Sequence, residues 1–322
     1  MEFRTKVDVT PFGFGVNHRS QILSVGSCFA ENIGKKLEYF RFKSDVNPCG
    51  IVYNPLSVSH TLQLLLEGRL FRTEDLIRHE GKWVSLYHHG SFSAEDSGLC
   101  LKNINTRLGL SAALLPKTDV LLLTFGTSWV YRYRENGIIA ANCHKLPAAK
   151  FERFRLTVEE IVQEYQELIP RLQAHCPGVK IIFTVSPVRH WKDGAHGNQL
   201  SKAVLLLAVE ELVREFGSVY YFPSYELVLD ELRDYRFYAA DMLHPSPQAV
   251  DYIWEKFGEA FFSADTFALM KRIDKVNRGL LHRPFSPESE AYRRFYAALE
   301  KEINILETDY GIQFCSSGSE VS

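Results

Sequence analysis

The feature that most limits how this chain can fold is its alternation of short apolar runs with longer stretches of helical period. Residues 21–26, 119–125, 179–185 and 218–222 are apolar runs of strand length. Helical stretches separate them. These cover about 28–41, a segment from Pro55 with Leu62, Leu65 and Leu66 on one side, 157–176, about 198–216, and 247 to about 262. The stretch at 157 opens on a capping box, Thr157 with Glu160, and Pro177-Gly178 ends it. The next carries Val204, Leu205, Ala208, Leu212, Val213 and Phe216 at helical spacing. Strands that alternate with helices on this scale pair in parallel through crossovers, with helices on both faces, which defines an α/β fold. Ligands of such sheets gather beyond the carboxyl ends of the strands. The Gly26-Ser27 corner, Gly126 and Ser186 all fall at such ends.

Three segments depart from the alternation. Residues 83–118 are mixed and loop-rich and read as a peripheral excursion. Trp129 to Ala141 reads as a β-hairpin turning at Glu135-Asn136-Gly137. Residues 264–322 hold two helical stretches separated by Arg283-Pro284-Phe285-Ser286-Pro287. The expected division is a main domain over 1–263, a helical extension over 264–315 packed on it, and a disordered tail over 316–322.

Chemistry enters at two places. Ile22-Leu23-Ser24-Val25-Gly26-Ser27-Cys28-Phe29-Ala30 reads as a strand that stops at a Gly-Ser turn and runs into a helix. Asp241-Met242-Leu243-His244-Pro245 sets a carboxylate three residues before an imidazole, just ahead of another helix. Pro245 restricts His244 to extended backbone and a defined loop geometry. A serine hydroxyl is a poor nucleophile until a base removes its proton, and an acid on the far ring nitrogen orients that base. Together the two segments supply Ser27, His244 and Asp241 in those roles. Cys28, beside the nucleophile, is expected to be a small buried residue. Ser27 alone is equally readable as a helix N-cap.

Composition narrows the alternatives. The chain has 322 residues, 46% hydrophobic and 24% charged, with a net charge of -2. No Lys/Arg run with interleaved aromatics suggests a nucleic-acid partner. No apolar stretch approaches the roughly 18 residues that span a bilayer, and the amino terminus lacks the apolar core of a secretory signal. Six cysteines, at 28, 49, 100, 143, 176 and 315, show no C-x-x-C spacing and read as reduced thiols, so the expected location is cytoplasmic. Neither a metal nor a cofactor is expected, because the histidines and acids form no ligand cluster.

Gly26-Ser27-Cys28-Phe29-Ala30, together with Pro48 to Pro55, Asn142-Cys143-His144-Lys145, Ser186-Pro187-Val188 and the Asp-x-x-His segment, resembles the GSCFA family. That family looks like a branch of the SGNH/GDSL hydrolases, and the resemblance covers most of residues 20–262. It implies a three-layer α/β/α sandwich with a mainly parallel, flavodoxin-like sheet. It also implies that Ser27 is the nucleophile and Asp241 and His244 the other triad members. Ser27 and Gly50 match positions whose amides help form an oxyanion hole. The block that normally reads Gly-x-Asn stands here as Gly126-Thr127-Ser128, without the asparagine amide. Thr127, Ser128 or Asn54 is expected to restore a donor, though Asn54-Pro55 is also an ordinary helix cap.

Asn54, Gly126, Asn142, His144, Lys145 and His190 are the expected substrate contacts, with Trp191 as an aromatic wall. The leading expectation is a serine esterase that cleaves an acyl or acetyl ester, of an O-acylated sugar or another small molecule, through an acyl-enzyme. The alternatives are acyl transfer by the same residues and a non-catalytic module that binds a small ligand. The carboxyl-terminal helices are the expected surface for a homodimer or other partner. No membrane association is expected.

Overall fold

The computed structural model describes residues 4–282 and 289–314. Cys315, the break at 283–287 and the tail at 316–322 lie outside the described residues. Five strands form the central sheet: β1 (Gln21–Gly26), β2 (Lys43–Val46), β5 (Val120–Phe125), β8 (Lys180–Val185) and β9 (Val219–Tyr221). Their order is β2-β1-β5-β8-β9, parallel throughout. Two antiparallel pairs stand apart from it: β3 (Ile77–His79) with β4 (Lys82–Val84), and β6 (Trp129–Tyr133) with β7 (Phe151–Arg155).

The period of two in the central strands assigns side chains to two cores. Leu23, Val25, Leu121, Leu123, Phe125, Ile181 and Phe183 enter one apolar cluster, while Ile22, Val120, Leu122 and Ile182 enter the other. Helices α2 (Pro55–Glu67), α3 (Ser97–Leu114), α4 (Val158–His175) and α5 (Gly194–Glu215) cover the first face. Helices α1 (Cys28–Tyr39) and α7 (Pro247–Phe261) cover the second, through Phe29, Ile33, Leu37, Ile253 and Phe257. A short helical turn, α6 (Ser224–Glu226), continues into a π-helical turn over Leu227–Glu231. The result is the three-layer α/β/α sandwich. Because both faces are covered, β5 is buried at every residue, as a near-continuous apolar run requires.

The carboxyl-terminal helices α8 (Ala264–Leu281) and α9 (Glu290–Tyr310) share an apolar cluster that includes Ile273, Val276, Leu299 and Leu306. They are tied to α1 by Tyr39, whose hydroxyl donates to Asp274 at 2.8 Å and whose carbonyl accepts from Asn277 at 2.7 Å. No helix among the described residues is long and apolar enough to cross a membrane.

Two expectations are corrected. Residues 83–118 are not mainly loop, since α3 occupies 18 of them. Its buried positions, Cys100, Ile104, Leu108 and Ser111, form a clean stripe, but the exposed Leu99 and Leu110 blur that stripe in the sequence. The turn at 135–137 forms, with Gly137 donating to Tyr133 at 2.8 Å, but β6 takes its full strand partner from β7. The cause is that Phe151 and Phe154 offer apolar cross-strand neighbours to Tyr133 and Val130. One strand has no counterpart among the apolar runs: β2, Lys-Ser-Asp-Val, pairs with β1 at the sheet edge.

Candidate active site

In the 2-1-3-4-5 order of a doubly wound sheet, the order in which strands are added reverses between the first and third strands, here β1 and β5, and a crevice opens at their carboxyl ends. Ser27 follows β1 directly, and Gly126 follows β5. Gly26 makes the corner possible. Its φ is +152°, and a Cβ there would overlap the backbone of Thr124 on the neighbouring strand. Its amide is held by Asn47 Oδ1 at 2.9 Å. Ser27 is the N-cap of α1, and its Oγ accepts from the Phe29 amide at 3.3 Å. The cap and the nucleophile readings of Ser27 are therefore compatible: a helix amide already points at the oxygen.

Asp241 and His244 lie on the loop before α7, closed by the Ala239 amide donating to the His244 carbonyl at 2.7 Å. Asp241 Oδ1 accepts the amides of Leu243 and His244, at 2.9 and 3.0 Å, and Oδ2 accepts from His244 Nδ1 at 2.6 Å. The backbone bonds from His244 and Leu243, and then the imidazole, hold the Asp241 carboxyl down at about 2. With Nδ1 donating to a carboxylate, Nε2 is left as the acceptor that a general base needs.

Ser27 and His244 line one cleft of about 710 Å³. Ser27 is only 1% exposed, at its floor, and the two side chains do not hydrogen-bond to each other. Catalytic hydrogen bonds that tighten only when substrate is bound are common. Tyr53, Trp129, Tyr131, Phe151 and Trp191 supply aromatic walls. Cys28 also lines this cleft and is half-buried rather than sequestered, because the first residue of α1 faces the opening.

Apart from Ser27, the backbone amides at the expected oxyanion positions Gly50, Thr127 and Ser128 are already engaged. The Gly50 amide donates to the Asn47 carbonyl at 2.8 Å, and Gly50 lines a different groove near β2, packed against His89. The Gly126 and Thr127 amides both donate to the Tyr53 carbonyl, at 2.7 and 3.1 Å. The Ser128 amide donates to Ser201 Oγ at 2.8 Å, and Ser128 is fully buried. The Ser27 amide reaches the Thr124 carbonyl at a long 3.4 Å, and the Cys28 amide has no acceptor among the described residues. The amino end of α1 therefore holds the donors that a developing oxyanion can use.

Of the expected contacts, Asn54, Asn142 and His190 line the cleft. Asn54 also caps α2, its Oδ1 accepting from Ser57 at 2.8 Å. Gly126 lies beside the cleft, where a Cβ would stand 3.2 Å from His190 Nε2 and 3.5 Å from Ser27 Cβ. Burial, then the nearby Lys202, brings the His190 imidazole down to about 4.

His144 and Lys145 do not line the cleft. Both occupy left-handed backbone, at φ 47° and 58°, which turns the chain away from it. His144 Nε2 bonds the Ser85 carbonyl at 2.7 Å, next to His88, whose Nδ1 bonds Ser85 Oγ at 2.9 Å. Burial, then His144, pushes His88 down to about 3. As pH falls below about 6.5 the unfolded chain takes up this proton and the folded chain does not, so stability declines with acid down to about pH 3. Relative to pH 7, His88 alone is expected to cost about 2 kcal/mol at pH 5. Urea unfolding at the two pH values measures it. His88→Gln should lose that part of the decline, and an unchanged decline would reject this assignment.

Sequence reasoning missed Lys202, 1% exposed beneath the cleft. Its ammonium donates to the carbonyls of Gly126 and Ser186, both at 2.6 Å, and so ties together the ends of β5 and β8. It forms no ion pair with a carboxylate among the described residues. A readable signal existed: Lys202 lies three residues before Leu205 on the buried stripe Asn198, Ser201, Lys202, Leu205, Ala208 and Leu212 of α5. Arg189, also missed, lines the cleft as well. The described residues contain no group of three or more His, Cys, Asp or Glu that could hold a metal.

Fold and site define an α/β protein with a serine at the β1–α1 corner and an Asp-His pair across the same cleft. The family described as the GSCFA family matches residues 21–257, and its C-terminal domain, described as that of a GSCFA domain protein, matches 273–315. The chain belongs to the GSCFA family. No curated protein matches it. Similar solved structures include a putative platelet activating factor from Streptococcus pneumonia, at 14% identity and TM-score 0.39, covering 74% of this chain and 83% of that one. They also include an acetyl xylan esterase from the rumen bacterium Butyrivibrio proteoclasticus, at 12% identity and TM-score 0.37, covering 75% of this chain and 64% of that one.

Proposed function

We propose that the protein is a serine hydrolase that cleaves a small acyl or acetyl ester through an acyl-enzyme. The observation that carries this reading is that Ser27 and an Asp241-oriented His244 face one cleft at the switch point of the sheet. In the first half-reaction His244 Nε2 takes the Ser27 proton as Oγ attacks the ester carbonyl carbon. The tetrahedral oxyanion meets the amino end of α1, where the Cys28 amide is unengaged and the Ser27 amide only weakly held. Collapse expels the alcohol, which leaves with the proton held on His244. Water then attacks the acyl-Ser27 carbonyl, giving its proton to His244, and the acid departs as Ser27 recovers its proton. The five described cysteines, all free thiols, fit a reducing compartment such as the cytoplasm.

A fluorophosphonate probe traps an activated serine without needing the natural substrate. Native protein should be labelled at Ser27, identified by peptide mass spectrometry, and Asp241→Asn should slow labelling at least about tenfold by disturbing the histidine tautomer. The engaged amides of Gly126, Thr127 and Ser128 favour one competing reading, a binding module that keeps the fold without efficient chemistry. That reading predicts no label on native protein, and such a result would replace the hydrolase.

A further inference from the structure

Charge in the cleft is one-sided. Its lining includes Arg189 and Lys192 and contains neither aspartate nor glutamate, and Lys202 lies directly beneath. This occurs in a protein whose net charge is -2, so the bias is local. Lys192 is partly engaged, donating to the Tyr131 hydroxyl at 3.1 Å. Arg189 is not: its side chain makes no hydrogen bond or ion pair among the described residues, and its Nε is buried without a partner.

Arg189 also lines an adjoining pocket of about 620 Å³, which shares Trp191 and Leu243 with the cleft. The two carboxylates on that side are taken, Asp241 by His244 and Asp234 by Arg236 at 3.2 Å. A guanidinium has five donors in a planar fork that matches a carboxylate or phosphate edge. The two Nη nitrogens of Arg189, unbonded among the described residues but not enclosed, can present that fork to an acceptor from outside the chain.

We propose that the substrate is an anionic ester, and that Arg189 holds its carboxylate or phosphate group at the junction of the two cavities while the ester bond lies over Ser27. The substrate class rests on the hydrolase reading; the anion site stands on Arg189, the acid-free lining of the cleft, and the pairing of Asp234 and Asp241 in the adjoining pocket. Arg189 is then a specificity-determining residue that selects charge without touching the reacting atoms.

Binding to the Ser27→Ala variant tests this without turnover. Calorimetry compares 4-acetoxybenzoate with 4-acetoxybenzamide, which differ in charge on the alcohol side, and monomethyl adipate with its amide, which differ on the acyl side. In at least one pair the anion should bind about tenfold tighter or better, as charge-assisted bidentate bonds do. Adding Arg189→Gln should bring that ratio close to one, and Arg189→Lys should restore only part of it. Ratios near one in both pairs, no binding of any of the four compounds, or a ratio untouched by Arg189→Gln would each overturn the proposal. The charge ratio in Ser27→Ala itself needs no Arg189 variant to fold. Failure of the hydrolase reading shows separately, as absence of turnover and of fluorophosphonate labelling in native protein.

Discussion

Ser27→Ala is expected to lower kcat/KM on a short-chain aryl ester by about 10⁴-fold or more, the scale on which removing a nucleophile acts. The substitution also removes the N-cap of α1, whose Oγ accepts the Phe29 amide. Loss of a cap costs about 1 kcal/mol, so the variant should melt only a few degrees lower and remain folded. A purely capping serine would give that melting shift with no change in turnover. His244→Ala should be comparably severe, and the double variant should be hardly worse than either single one, because nucleophile and base act as a unit. Additive losses in the double variant would mean that the two residues do not share a proton, and equal turnover by native and Ser27→Ala protein would end the serine mechanism.

Lys202 gives the second large effect, read in stability. Burial brings its ammonium down to about 7, with Cys28 opposing and Arg189 adding to that shift. In the unfolded chain the same group titrates near 10.4. Between these values the unfolded chain holds a proton that the folded chain releases, so Lys202 makes folding more favourable as pH rises from about 7 towards 10. From pH 7 to 9 the gain is about 2 kcal/mol. Lys202→Met keeps the length and removes the titration. The native protein should therefore gain on the variant by that amount over this interval in urea unfolding, while the thiols and phenols contribute equally to both. Parallel stability curves for the two proteins would show that Lys202 keeps its ordinary affinity for a proton and does not lie in the buried state described.

Arg189 and Lys202 differ in how far they were readable. Lys202 falls on the same face of α5 as the apolar Leu205, Ala208 and Leu212, a pattern visible in the sequence, whereas its bonds to the Gly126 and Ser186 carbonyls depend on three segments meeting. Arg189 follows Ser186-Pro187-Val188 with nothing local to distinguish it, and only the two cavities on either side give it a role. The same division applies to the oxyanion donors that the block match implies. Gly50, Thr127 and Ser128 match family blocks along the chain, but an amide is available only if no other carbonyl or hydroxyl captures it. Asn47, Tyr53 and Ser201, all remote in sequence from at least one of those amides or held there by a turn, capture them.

What the sequence by itself determined is whatever depends on near neighbours along the chain. The period of two in β1, β5 and β8 assigned their faces, and Asp241 and His244, three residues apart, met within one loop. Thr157 with Glu160 capped α4 as their spacing required. Tertiary structure alone decided that Ser27 and His244 line the same cleft, that Gly50, His144 and Lys145 do not, and that Lys202, with no carboxylate partner among the described residues, lies under the ends of β5 and β8. The physical reason is range: periodicity and capping act over one or two turns of chain, while a cleft and its charge arise from packing side chains drawn from strands and helices more than 200 residues apart.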